Sequence, residues 1–179
     1  AVVEGCNALL ECWYPGQEGG TAMADILFGD VNPGAKLPVT VARDAGQVPV
    51  FYNRKPSARR GYVFEEIYPL FPFGYGLSYT KFDIGKPRLS SLRIGVGGAV
   101  TVEIDVRNAG DRAGDEVIQL YVRDQTASVT RPIKELKGFE RITLAPGEAQ
   151  TVRIALNPDA FALWNLDMEE VVEPGLFDI

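Results

Sequence analysis

The sequence predicts a mixed fold in which the end of an α/β layer is followed by an all-β sandwich of antiparallel strands. The chain has 179 residues, of which 46% are hydrophobic, so it contains enough apolar material for a core. Nineteen Gly and twelve Pro fall between short apolar runs, as turns between strands do. The pattern also changes from strand, helix, strand to strict alternation between residues 77 and 95.

The first part of the chain predicts a βαβ-type unit. Residues 8–13 (ALLECW) indicate a buried strand, and the YPG turn and the glycines of PGQEGG then allow a tight entry into a helix. Gly29 follows as the expected C-terminal stop, and residues 36–42 (KLPVTVA) indicate a second short strand. The apolar stripe of the predicted helix consists of Ala22, Met23, Ile26, Leu27 and Phe28.

The second part predicts half-buried strands, because apolar and polar residues alternate there with a period of two. APGE at 145–148 joins the last two of these alternating runs as a Pro-Gly turn. The last strand, in 171–179, contains a Pro-Gly pair, which favours an edge position or an interrupted strand. The residues predicted to point inward are Val100, Val102, Ile104, Val106, Ile118, Leu120, Val122, Ile142, Leu144, Val152, Ile154 and Leu156.

Composition excludes several classes of function. The chain has no histidine, which removes Ser-His-Asp and Cys-His nucleophilic systems and imidazole zinc sites. Its net charge of -6 argues against nucleic acid as a partner, and no apolar run reaches the roughly 20 residues that a membrane helix needs. Cys6 and Cys12 have no other thiol or imidazole to complete a metal site, so we expect buried free thiols, no metal and no cofactor. The alternative is a disulfide between them, which requires a secreted protein and close Cα atoms.

Carboxylates are therefore the candidates for acid/base chemistry. Glycoside hydrolysis needs two of them, held about 5 to 10 Å apart across the sugar. The neighbouring pairs are Glu65 with Glu66 and Glu169 with Glu170. Adjacent residues of an extended segment point to opposite faces, so both pairs are expected to be solvated surface groups.

Residues 54–79 combine arginines with many aromatic side chains. Aromatic faces stack on sugar rings and arginine can hold hydroxyl groups, so this segment could form the rim of a sugar cleft. The alternative is that its aromatics fill the seam between two domains while its arginines pair with neighbouring acids. The seam is favoured for FPFGYGLSY at 71–79, whereas both interpretations stay open for Arg59, Arg60 and Tyr62.

Three strings together resemble one family. They are WYPGQEGGTAMADILFGDVNPGAKLPVT at 13–40, LFPFGYGLSYTKF at 70–82, and GDEVIQLYVRD with RPIKELKGFERITLAPGE. They are similar to the C-terminal portion of glycoside hydrolase family 3, the β-glucosidases and β-xylosidases. The resemblance spans nearly the whole chain and implies that residues 1–76 are the C-terminal part of the family's α/β sandwich domain with a linker. Residues 77–179 would then be its fibronectin type III-like, or immunoglobulin-like, β-sandwich.

The resemblance also implies what this chain contributes. Family members are retaining exo-hydrolases of terminal β-D-glucosyl or xylosyl units, with an aspartate nucleophile in an N-terminal barrel and a glutamate acid/base that would both precede Ala1. We therefore expect no catalytic residue here, an inactive C-terminal fragment cut at both ends, and a parent protein that is periplasmic or secreted rather than cytoplasmic. The resemblance places Arg59, Arg60 and Tyr62 where they could approach the substrate. Partners would be β-glucoside or β-xyloside oligosaccharides and the missing barrel, and the sequence leaves a homo-oligomer open.

A non-catalytic module that binds carbohydrate or protein is the rival hypothesis. Such a module should display an aromatic strip on an exposed face. The candidate aromatic residues are scattered among predicted strands and loops, and core positions are expected for most of them. They are Tyr121, Phe139, Phe161 and Trp164.

Overall fold

A computed structural model describes residues 3–56 and 66–179 of the chain. One α-helix, α1 (Gly19–Phe28), lies in the first part, whose other described residues are irregular apart from two 3-10 turns. The second part contains nine strands. They are β1 (Phe82–Ile84), β2 (Arg88–Leu89), β3 (Val100–Asn108), β4 (Gly114–Asp124), β5 (Glu135–Leu144), β6 (Ala149–Leu156), β7 (Leu163–Trp164), β8 (Glu170–Val171) and β9 (Phe177–Asp178).

Helix α1 confirms the helix predicted from sequence, including the residue at which it stops. Gly16 adopts a φ of 68°, which lets the chain turn into the helix, and the N–H of Gly19 donates to the Gly16 carbonyl at 3.2 Å. Gly29 closes the helix in the left-handed conformation, with a φ of 84° and its N–H bonded to the Ile26 carbonyl. Glycine is therefore needed at both ends for reasons of backbone geometry.

The first predicted strand, at residues 8–13, is absent. This segment is irregular and mostly exposed, and Leu9, Leu10 and Trp13 point toward solvent. An extended segment becomes a strand only when a neighbouring strand satisfies its N–H and C=O groups, and no described residue forms a ladder with it. The prediction of a buried strand at 8–13 is therefore wrong in both its local structure and its burial.

The second predicted strand, at residues 36–42, is reduced to one isolated bridge between Val41 and Phe71. Leu37 still exchanges backbone hydrogen bonds with the 74–75 segment at 2.8 Å, so the two segments lie side by side. No backbone hydrogen bond among the described residues joins the two segments between Leu37 and Val41, so these contacts do not extend into a ladder. The predicted βαβ unit is therefore not formed within the described residues.

Two antiparallel sheets build the sandwich. In the first sheet β3 is central, with β1 and β2 along one of its edges and β6 along the other. In the second sheet β4 lies between β5 and β9. A separate hairpin is formed by β7 and β8. The mixed fold predicted from sequence, a part containing a helix followed by an all-β sandwich, is confirmed.

The core lies between the two sheets and contains all twelve residues predicted to point inward. Val102, Val106, Leu144 and Leu156 are completely buried, and Phe161 and Leu163 add to the core from the segment after β6. The alternation that predicted these strands is therefore a direct consequence of burial on one face.

The C-terminal segment confirms the effect of its Pro-Gly pair. Pro174 and Gly175 separate β8 from β9, so the segment is interrupted, and β9 lies at the edge of its sheet beside β4. The short strands β1, β2 and β7 were not predicted, because two or three residues are too few to show a period.

Candidate functional site

The first part of the chain packs on the outer face of β4. Gly74 approaches this strand closely: a Cβ placed there would lie 2.2 Å from Oε1 of Gln119, whose Nε2 donates to the Gly74 carbonyl at 3.2 Å. Gly34 approaches the same strand, with an ideal Cβ 2.6 Å from the Cβ of Asp115. Glycine at these positions allows direct contact between the backbone and β4.

Aromatic rings fill the seam beside these glycines. Tyr52 stacks on Phe73 with ring centroids 4.2 Å apart and meets Tyr121 of β4 edge-on at 5.9 Å. Burial is the larger cause that raises the pKa of Tyr121, and the nearby Tyr52 is the smaller one. Nζ of Lys134 lies over the Tyr121 ring, 4.4 Å from its centroid. The predicted seam is confirmed for Phe73, whereas Tyr75 and Tyr79 of the same string stay partly exposed.

Two asparagines, which sequence analysis did not identify, fix the chain around the seam. Asn32 bonds Ser78 at 2.9 Å and accepts from the Tyr79 N–H at 2.7 Å. Asn108 is completely buried at the end of β3, where it accepts from the Thr80 hydroxyl and donates to the Leu144 carbonyl at 3.0 Å. The only sequence signal was their position in the NPG and NAG turns, where asparagine is common for local reasons.

An ion pair also crosses the seam and was not predicted. Nζ of Lys36 lies 2.8 Å from Oε1 of Glu116, and their side chains are only 15% and 10% exposed. The same ammonium group donates to the Gly76 carbonyl at 3.3 Å. Ion pairing and hydrogen bonds therefore satisfy both charges, as burial requires.

The substrate-binding candidates Arg59, Arg60 and Tyr62 lie outside the described residues, as does Glu65. Glu66 is exposed and pairs with Arg43 at 3.2 Å, which confirms the predicted surface position. Glu169 and Glu170 are exposed as well, also as predicted. Across residues 3–56 and 66–179, no cluster of three or more acidic, cysteine or histidine side chains could hold a metal ion.

Hydrogen bonds hold the chain on both sides of residues 57–65. Upstream, the Arg54 carbonyl accepts from the N–H of Ile133, just before β5, at 2.9 Å. Downstream, Gln47 donates to the Glu66 carbonyl at 2.8 Å, and Arg43 donates to the Tyr68 carbonyl at 3.0 Å. The sandwich thus anchors one side of this segment, and the first part of the chain anchors the other.

A groove of about 440 Å³ opens between the 91–98 loop and the C-terminal segment. Its lining is mainly apolar, and its charged side chains are Arg93 and Glu173. Ser128 donates two hydrogen bonds to Glu173 through its hydroxyl and its N–H, and these lower the pKa of that carboxyl. Glu173 is therefore held ionised, which does not suit a general acid.

The aromatic residues of the rival hypothesis do not form a strip. Tyr121 lies in the seam and Phe161 in the core, whereas Phe139 on β5 and Trp164 on β7 are exposed. The core position expected for most of them is thus found for Phe161 alone, with Tyr121 half-buried. Carbohydrate recognition by stacked aromatics gains no support from this arrangement.

The two cysteines are free, as expected, but they are not buried. Cys6 is exposed and Cys12 is half-buried, because the surrounding segment does not form the predicted buried strand. No helix among the described residues has the length and apolar character required to cross a bilayer.

Comparisons with known proteins identify both parts of the chain. Residues 2–79 match the glycosyl hydrolase family 3 C-terminal domain, and residues 116–179 match a fibronectin type III-like domain. A β-xylosidase of Formosa agariphila is 50% identical over 99% of the chain and 25% of its own length. A periplasmic β-glucosidase of Salmonella typhimurium is 46% identical over 97% of the chain and 24% of its length.

Solved structures agree with these matches. The β-glucosidase EmGH1 from Erythrobacter marinus superposes with a TM-score of 0.95 at 50% identity, over 98% of this chain and 23% of that one. A Listeria innocua β-glucosidase, solved in complex with laminaribiose, superposes with a TM-score of 0.91 at 40% identity, over 98% of this chain and 26% of that one. The chain spans about a quarter of the length of the relatives it matches. It belongs to glycoside hydrolase family 3, from which it carries the C-terminal domain region and the fibronectin type III-like domain.

Proposed function

We propose that this chain is the non-catalytic C-terminal fragment of a retaining, exo-acting β-glycosidase that releases terminal β-D-glucosyl or xylosyl units. The observation that carries the proposal is the 50% identity to a β-xylosidase, and 46% to a β-glucosidase, over nearly the whole chain. In such an enzyme the aspartate nucleophile and the glutamate acid/base belong to the preceding part of the polypeptide. This chain then supports the barrel and shapes one wall of the cleft.

The carboxylates of the first part support a scaffold role. Glu11 accepts a hydrogen bond from the Trp13 N–H at 3.0 Å, and Glu18 lies at the start of α1. Glu66 is engaged with Arg43 at the surface. All three carboxylates are exposed to solvent, as surface groups of a scaffold are.

The domain division follows from the same proposal. Residues 1–76 complete an α/β domain whose strands precede this chain, and residues 77–179 form the sandwich. The seam of Gly34, Gly74, Tyr52 and Phe73 against β4 then acts as a rigid joint between them. Exposed apolar groups of the first part, including Trp13 and Phe28, are covered by the preceding polypeptide.

Arg59, Arg60 and Tyr62 are the proposed contacts to the substrate. The hydrogen bonds of Arg54, Glu66 and Tyr68 support this role, because they fix the chain on either side of the segment. The substrates are β-glucoside or β-xyloside oligosaccharides, the class to which the laminaribiose bound to the Listeria relative belongs.

Steady-state kinetics on the polypeptide extended upstream through its barrel tests these contacts. Arg60→Ala should raise KM for an aryl β-glucoside or β-xyloside by on the order of tenfold, the loss of one charge-assisted hydrogen bond. Arg107→Ala, on the outer face of β3, is the matched control and should leave KM unchanged. Equal KM values for both variants would mean that Arg60 does not contact the substrate.

Proton NMR of the first product formed by the extended polypeptide tests the reaction class. Retention requires that the β-anomer of the released sugar appears first, before mutarotation. Initial appearance of the α-anomer would contradict a glycosyl-enzyme intermediate.

The parent enzyme is proposed to act in the periplasm or outside the cell, as the name of the Salmonella relative states for that protein. Fractionation of cells that express the natural full-length gene tests this. Activity released by osmotic shock or found in the medium supports the proposal, and activity confined to the cytoplasmic fraction contradicts it.

A further inference from the structure

The β7–β8 hairpin presents three large apolar side chains to solvent. Trp164 is 57% exposed, Leu166 84% and Met168 75%, and all three lie within one turn of the chain. Leu163, directly before Trp164, is almost completely buried and anchors the hairpin in the sandwich. Single exposed apolar residues are common on protein surfaces, whereas a cluster that includes Trp and Met is typical of a protein-binding surface.

The turn that carries these side chains is held in one conformation by Asn165. The Asn165 side-chain carbonyl accepts from the N–H groups of Asp167 and Glu169, both at 2.9 Å. The Asn165 backbone N–H bonds the Glu169 carbonyl at 3.0 Å, and Met168 adopts a φ of 61°. A turn fixed in this way loses little conformational entropy when a partner binds it.

The chain around the hairpin is acidic. The 26 residues from Ile154 to Ile179 contain six acidic residues and no Lys or Arg. Glu173 and Asp178 bond other side chains, so their charge is partly satisfied within the sandwich. The acidic groups nearest the exposed apolar side chains are Asp167, Glu169 and Glu170, of which only Glu169 bonds a side chain, that of Asn165, at 3.4 Å.

Charge selects among the partners that such a surface could bind. Anionic membranes and nucleic acids are repelled by the acidic groups, and Leu166 and Met168 offer no flat face for a sugar ring to stack on. A protein surface with an apolar pocket bordered by Lys or Arg is complementary to both the apolar turn and the acidic rim.

We propose that the β7–β8 hairpin is a docking element for a protein partner whose apolar pocket is rimmed by basic residues. Trp164, Leu166 and Met168 enter the pocket, while Asp167 and Glu170 face the basic rim. This role is independent of the glycosidase proposed above, since it requires neither barrel nor substrate.

Fluorescence of Trp164 in a Trp13→Phe background tests the proposal, because Trp164 is then the only tryptophan of the chain. The probes are an amphipathic peptide of lysine and leucine and its counterpart with glutamate in place of lysine. We expect a blue shift with the basic peptide, with a Kd near the micromolar range that weakens as salt rises from about 0.01 M to about 1 M. The acidic peptide should bind at least about tenfold more weakly.

Two variants separate the apolar and electrostatic contributions. Leu166→Ser with Met168→Ser should abolish the shift at every salt concentration, and Asp167→Asn with Glu170→Gln should weaken binding at least about fivefold at low salt only. Glu140→Gln with Asp83→Asn, which removes the same charge from exposed sites on β5 and β1, is the control. Equal binding of both peptides, no shift with either, or the same loss in the control pair would overturn the proposal. Circular dichroism of each variant checks that the sandwich is folded.

Discussion

At the scale of single residues, Asp105 links three strands of the first sheet. It lies on the outer face of β3, where the guanidinium of Arg88 on β2 donates two hydrogen bonds and the hydroxyl of Thr151 on β6 donates one. These hydrogen bonds, with that from Arg88 the largest cause, lower the pKa of Asp105 from 3.8 to about 2. Because the folded pKa is depressed, the carboxylate stabilises the fold above pH 3.8 and loses this effect as pH falls through about 2.

Asp105→Asn should therefore lower the free energy of unfolding at neutral pH but not in strong acid. Urea unfolding at about pH 7, about pH 4 and about pH 2 gives the free energy of unfolding of the variant and of the unchanged chain. The difference between the two should become smaller at each step down in pH. Asp83→Asn, at an exposed position of β1, is the control and should show no such trend. A difference that is the same at all three pH values would mean that Asp105 does not act through its charge.

Gly34 shows how one missing side chain decides the seam. A Cβ there would lie 2.6 Å from the Cβ of Asp115 and 3.0 Å from its carbonyl oxygen, so Gly34→Ala forces the backbone away from β4. We expect Gly34→Ala to lower the free energy of unfolding, measured in urea, by about 1 to 3 kcal/mol. Gly95→Ala is the matched control, because a Cβ at Gly95 meets nothing within 4 Å. Equal effects of the two substitutions would show that the close approach does not matter.

At the scale of elements, the Lys36–Glu116 pair connects the first part of the chain to β4. Lys36→Met leaves a largely buried carboxylate without its cation and should cost about 1 to 3 kcal/mol of the free energy of unfolding. Adding Glu116→Leu removes that charge too, so the double variant should recover part of the loss. A double-mutant cycle, measured by urea unfolding, gives the coupling free energy between the two side chains. Strictly additive effects would mean that they do not interact.

The accuracy of sequence-based prediction differed between elements for physical reasons. Strands β3 to β6 were predictable because each is long, alternates and buries its own apolar face. Residues 8–13 were not, because a strand depends on a partner that the local sequence does not specify. At the candidate site, the aromatic seam was predictable from composition. The contacts of Asn32, Asn108 and Lys36 join residues far apart in sequence, and no local pattern indicates them.

At the scale of the whole molecule, the first part of the chain exposes apolar side chains that the sandwich does not cover. Leu27 and Phe28 at the end of α1 are 70% and 85% exposed, and Tyr14 is almost fully exposed. We expect the purified chain to associate in light scattering, and Leu27→Glu with Phe28→Glu should reduce the apparent mass. Leu92→Glu, which places a charge on the sandwich instead, should reduce it less. A monomeric sample that melts in one cooperative transition would contradict this expectation.

We expect this chain to support catalysis without performing it. Hydrolysis of an aryl β-glucoside and an aryl β-xyloside by this chain, beside the same chain extended upstream to include its barrel, tests this directly. Only the extended polypeptide should be active. Hydrolysis by the 179-residue chain that is lost on changing Glu65 or Glu66 would contradict it, since the catalytic carboxylates would then lie within this sequence.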